Sequence, residues 1–121
     1  MTDSKEDLAV QALETLKAKL NRDTAKISWS ALAEHHQKEA VIRVDNSLDL
    51  ITVAGEFAQD NHNQVKQWLD EGTIGKVGIK TGENWLEQDV EVWAVVIAPW
   101  ILVQELEAKD MPELVIDLDQ P

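Results

Sequence analysis

No cysteine occurs among the 121 residues. This removes disulfide cross-links, thiol nucleophiles and thiolate metal sites together, and it fits a reducing compartment. Basic residues are scarce: 11 Lys and Arg stand against 23 Asp and Glu, a formal charge of -12 at pH 7. A field of that sign repels nucleic acid and anionic lipid and favours cationic partners. Long apolar runs are absent too. The longest uncharged stretch, VWAVVIAPWILV from Val92 to Val103, would reach only ~18 Å as a helix against a hydrocarbon core of ~30 Å. No membrane span is therefore expected. The amino terminus, MTDSKEDLAV, carries acids where a secretion signal needs basic residues ahead of an apolar stretch, so the expected location is cytoplasmic.

Catalytic constellations are missing as well. Ser28, Ser30 and Ser47 lack the context of a nucleophile elbow, and GTIGKVG is no P-loop because Lys76 is followed by Val77 rather than Ser or Thr. Of the three histidines, His35 stands four residues from Glu39 on one helical face, but no second pair at ligand spacing accompanies it. The expectation is a non-enzymatic protein with no metal and no cofactor.

The chain does carry clear secondary-structure periodicity. Leu8, Ala12, Leu13, Leu16 and Leu20 mark an amphipathic helix over Ser4 to Leu20, which Asn21 can terminate before a turn at Thr24. ISWSALAEHHQKE predicts a second helix, capped by Ser28, with Trp29, Leu32, Ala33 and His36 on one face. Ala40 to Val44 reads as a strand. From Ser47 the helical period returns through Leu50, Val53, Ala54, Phe57 and Ala58, with Asp49 in the first turn. Asp60 or Asn61 then opens a helix carrying Val65, Trp68 and Leu69, which Gly72 closes. Thr73 to Ile79 reads as a strand and Thr81 as the cap of a short helix with Trp85 and Leu86. Pro99 divides the long apolar run into a strand from Val92 to Ile97 and an extended piece from Trp100 to Val103 after a bulge or bend. The predicted fold is α+β: one domain over 1–121, four or five helices on a short mixed or antiparallel sheet whose central strand is the apolar run. The segment 1–19 forms a helical extension, and 105–121 is an acidic tail, either disordered or an edge strand.

The segment Ser47 to Lys80 has the layout of a helix-turn-helix, a common DNA-reading unit. Its charge argues the other way: Lys66, Lys76 and Lys80 face Asp49, Glu56, Asp60, Asp70 and Glu71, whereas affinity for DNA comes largely from phosphate neutralisation. Scaffold is the preferred reading of the hairpin. The five tryptophans each sit in an apolar pattern and read first as core. Tryptophan is also enriched in protein-binding hot spots, which makes Trp100, beside Pro99, the best candidate for display, with Trp68 in second place.

The residues Leu20-Asn21, Thr24-Ala25, Ile27, Trp29, Val41 to Val44, Leu48 to Leu50, Val65, Trp68-Leu69, Trp93 to Val96, Ala98 to Trp100 and Val103-Gln104 together resemble a small bacterial family catalogued as domain of unknown function 2288. The resemblance runs over 20–104, with Val92 standing where an aromatic is expected. It implies a compact cytoplasmic bacterial domain and supplies no activity, ligand or catalytic residue. Asn21 and Asp49 belong to these motifs and complete the candidate interaction surface of Pro99, Trp100, Trp68, Asn21 and Asp49, although helix capping is the preferred role for both polar residues. The expected function is an acidic protein-interaction module with an unidentified partner, basic if charge selects it, acting as a monomer or homodimer. The alternatives are nucleic-acid binding through 47–80, and imitation of DNA by the negative surface so that a basic DNA-binding protein is occupied.

Overall fold

Ten elements follow one another in the computed structural model, which describes the backbone of residues 3–107 and the side chains of residues 11–107. They are α1 (Asp3–Asp23), β1 (Ala25–Ser28), α2 (Trp29–Gln37), β2 (Val41–Val44), α3 (Leu50–Ala58), α4 (His62–Glu71), β3 (Ile74–Lys76), α5 (Ile79–Gln88), β4 (Glu91–Ile97) and β5 (Trp100–Glu105). The strands form one sheet in the order β1-β4-β5-β2-β3. The β2–β5 pairing is parallel and the others are antiparallel. The expected α+β domain with a mixed sheet is present, and the apolar run lies at its centre.

Side-chain alternation along the strands sorts the core into two halves. Ile42, Val44, Val95 and Leu102 point to one face, where α1 and α3 supply Leu20, Leu50, Val53 and Ala54, and Val65 and Trp68 of α4 pack partly buried against them. Val41, Val92, Ala94, Ile101 and Val103 point to the other, where α2 and α5 supply Trp29, Leu32 and Trp85. Leu102 and Val103 are both fully buried although they point to opposite faces, so β5 is covered from both sides. This is why its sequence is continuously apolar instead of alternating.

Several boundaries differ from the sequence reading. The apolar run does not bend past Pro99 in one direction: Ile97 pairs with Trp100, and β4 and β5 fold back on each other as a hairpin with Ala98 and Pro99 in the turn. The turn is a position where proline's missing N–H costs no ladder bond. The Ala98–Pro99 peptide is cis. Residues 25–28 form the edge strand β1, pairing Ile27 with Val92, a strand the sequence pattern did not predict, while α2 begins at Trp29 with Ser28 at its N-cap as expected. Asn21 does not end α1. The helix continues to Asp23, and the Thr24 hydroxyl closes it by donating to the Leu20 carbonyl at 2.7 Å. The strand predicted from Thr73 to Ile79 covers only Ile74–Lys76, and α5 begins at Ile79 with Gly78, not Thr81, as its N-cap. Glu105 belongs to β5. Leu106 and Glu107 follow it without regular structure, and the remainder of the predicted tail, 108–121, lies outside the described residues.

The helical hairpin follows local chemistry. The Asp49 carboxylate accepts from the Thr52 N–H at 3.0 Å and caps α3. The Asn61 side chain accepts from the Gln64 N–H at 3.4 Å and caps α4. Gly72 ends α4 in the left-handed region, φ 79°, which glycine enters without steric cost.

Candidate functional site

The tip of the β4–β5 hairpin leans toward the α3–α4 turn, and between them lies a groove of about 420 Å³. Ile97, Pro99 and Trp100 come from the hairpin, and Phe57, Val65 and Leu69 come from the two helices. Each set is brought there by its own periodicity: Phe57 stands on the α3 stripe that buries Val53 and Ala54, and Val65 and Leu69 are four apart on α4. The rim is polar. Glu56 and Asp60 carry negative charge, with Asn61 and His62 beside them. The Asn61 amide donates to the Glu56 carboxylate at 2.7 Å and holds it in place. Lys76, the cation on this wall, is engaged by Glu39 at 2.8 Å, and that lysine holds the Glu39 carboxyl below its usual range. The groove is thus an apolar slot with the carboxylates of Glu56 and Asp60 at its edge, neither in an ion pair among the described residues.

The five residues singled out in sequence divide between places. Pro99 and Trp100 meet in this groove. Trp68 does not line it: the side chain packs half-buried against the core under α4, and its carbonyl accepts from the Thr73 hydroxyl at 3.2 Å. Asp49 is occupied as the α3 cap, also accepting from the Thr52 hydroxyl at 2.9 Å. Asn21 lies exposed on α1. Sequence reasoning missed the partners of Trp100, because Phe57, Asp60 and Leu69 read only as helix stripe and turn. No local signal says that a turn near residue 60 will face a hairpin tip near residue 98.

The opposite face of the sheet carries a larger groove, about 670 Å³, between α2 and α5. Its floor is Trp29, whose indole N–H donates to the Gly82 carbonyl at 2.9 Å, and His36, whose Nε2 lies 3.0 Å from the Val77 carbonyl. Since a carbonyl only accepts, that nitrogen carries the proton. Trp85 stacks edge-on against Trp29, with centroids 5.0 Å apart and planes at 83°. A third depression, about 410 Å³, is bordered by Asp49, Trp93 and Gln104. Among the described residues no three His, Asp or Glu side chains converge on a metal-sized site. Among the same residues no helix is long and apolar enough to cross a membrane.

Comparison with known proteins agrees with this architecture. A family model described as a protein of unknown function, DUF2288, matches residues 15–105. The chain is similar to PA1075 from Pseudomonas aeruginosa, whose NMR solution structure superposes with a TM-score of 0.68 at 41% identity, covering 82% of this chain and 92% of that one. No curated protein matches.

Proposed function

The chain belongs to the DUF2288 family, and within that frame we propose that it is a non-enzymatic, acidic protein-interaction module whose contact surface is the groove at Pro99 and Trp100. The observation that carries this reading is the composition of the groove, an apolar floor ringed by Glu56 and Asp60 on a chain of charge -12. A partner that inserts an aliphatic or aromatic side chain between Trp100 and Leu69, and places lysine or arginine at the rim, satisfies both features. Steering by the overall charge would speed its approach. Nucleic-acid binding through the helical hairpin has less support, since Lys66, the lysine of α4, is paired with Asp70 at 3.2 Å. Occupation of a basic DNA-binding protein is a special case of the proposal, distinguished by competition with DNA.

Affinity capture from a bacterial lysate, with the parent chain beside Leu69→Ser and Pro99→Ser, tests the proposal. Leu69 is exposed and Pro99 lies in a turn, so both variants should keep the fold, as an amide NMR spectrum would verify. The expected result is a basic protein retained by the parent, lost from the folded variants and released as salt rises. Equal retention by parent and variants would remove the groove from the proposal.

A further inference from the structure

The α2–α5 face presents apolar side chains that the fold itself does not use. Ile79 is 73% exposed and Leu86 47%, and both border the larger groove. Seven residues apart on α5, they stand on one side of the helix about 10 Å from each other, with the Glu83 carboxylate between them. A cross-strand row leads from the groove toward the hairpin tip: Val41, on the groove wall, and its neighbour Ile101 are buried, and Ile101 neighbours the exposed Val96. Val96 is 64% exposed near the hairpin tip. A small molecule would occupy a pit and leave such ridges wet. Two projecting aliphatics on one helix beside a trough are the counterpart of another helix.

The trough is also already built. Trp29 is fixed by its bond to the Gly82 carbonyl and His36 by its bond to Val77. Gly82 has no side chain, which is what admits the imidazole: a Cβ there would sit 2.5 Å from His36 Cε1. A floor held in this way pays little ordering entropy on binding.

Charge selects among occupants. Lys76 on the wall is bonded to Glu39, and Lys38, the residue that follows α2, lies 3.9 Å from Glu34. On α5 the single cation Lys80 faces Glu83 and Glu87, neither of which has an ion-pair partner among the described residues. A second copy of this chain would bring carboxylate against carboxylate in an assembly already carrying -12 per subunit, so self-association is disfavoured. We propose that the α2–α5 groove is a second docking site, distinct from the Trp100 groove, which receives an amphipathic helix with aliphatic anchors and lysine or arginine flanking them, the cations meeting Glu83.

The test uses the full-length, 15N-labelled chain and two synthetic 14-residue helical peptides, one of leucine and lysine with leucine on one face, the other with glutamate in place of lysine. The leucine–lysine peptide should shift the amides of Ala33, Gly82, Glu83 and Leu86. Ile79→Ser combined with Leu86→Ser should weaken it about tenfold or more, as expected when exposed apolar anchors are removed. Glu83→Lys should weaken it further at low salt than at high salt. All three substitutions are at exposed positions, so the spectrum should otherwise be unchanged. Equal shifts from the glutamate peptide, or shifts confined to Pro99, Trp100 and Leu69, would overturn the second site. The latter outcome would leave the first groove supported.

Discussion

The indole N–H of Trp29 donates to the carbonyl of Gly82 at 2.9 Å, tying the first turn of α2 to the first turn of α5. The bond places Gly82 against the His36 ring, and its backbone leaves no room for a side chain. Gly82→Ala therefore sets two effects in opposition. Alanine gains about 1 kcal/mol of helix propensity. The methyl group must displace an imidazole, which costs about 1–3 kcal/mol as overpacking, and the His36 bond to Val77 is lost, about 1 kcal/mol more. The expected net result in urea denaturation is destabilisation by about 1–3 kcal/mol. Adding His36→Ala should recover part of it, a coupling that a double-mutant cycle detects.

Asp49 tests the difference between a cap and a contact residue. Asp49→Ala should lower stability by about 1 kcal/mol through the lost bond to the Thr52 N–H, while Asp49→Ser retains most of it. Neither change should affect partner capture. A capture defect in the folded Ser variant would return Asp49 to the interaction surface.

Acid should weaken the Glu39–Lys76 contact in a defined direction. The hydrogen bond from Lys76, followed by its charge, lowers the Glu39 carboxyl from its ordinary value of 4.5. A carboxyl depressed in the folded state adds stability above its unfolded pKa and loses that contribution as pH falls through the folded one. Glu39→Gln should thus be slightly less stable than the parent at neutral pH, and the gap should close as pH falls below the ordinary value of 4.5 and through the lower folded one. The pair is exposed, so the gap is small. A gap that widens in acid would contradict the assignment.

Leu102 lies at the centre of the sheet, fully buried under α3. Leu102→Ala should cost about 2–5 kcal/mol in denaturant unfolding, the range for a buried leucine whose cavity cannot collapse. Val96→Ser on the neighbouring strand should cost less than about 0.5 kcal/mol, because Val96 faces solvent.

Duplex DNA should not bind with useful affinity. With Lys66 paired and the chain strongly acidic, fluorescence anisotropy at physiological salt should show no binding tighter than about 100 µM, the weak edge of non-specific affinities. A micromolar complex with a steep salt dependence would revive the helical hairpin as a DNA reader.

The parts legible in the sequence were those governed by neighbours within a few residues. Asn61 and Gly72 bracket α4, the Leu50-Val53-Ala54-Phe57 stripe sets α3, and Pro99 marks the interruption of the apolar run, each through hydrogen bonding or dihedral preferences the residue carries with it. Four residues at Ala25 to Ser28 were not legible, since an edge strand so short has little pattern of its own and exists because Val92 and Ala94 offer it a partner.

For the candidate sites the division is sharper. Composition alone determined that the surface is acidic and that Trp100, beside Pro99, was the residue to watch. Tertiary structure decided what each faces: that β4 and β5 close into a hairpin, that its tip meets Phe57 and Leu69, that Trp68 goes to the core, and that Gly82 admits His36 to the floor of the second groove. Propensity and capping act over one or two turns, whereas a groove is made by pairings across tens of residues, and these are chosen by the burial of the whole sheet.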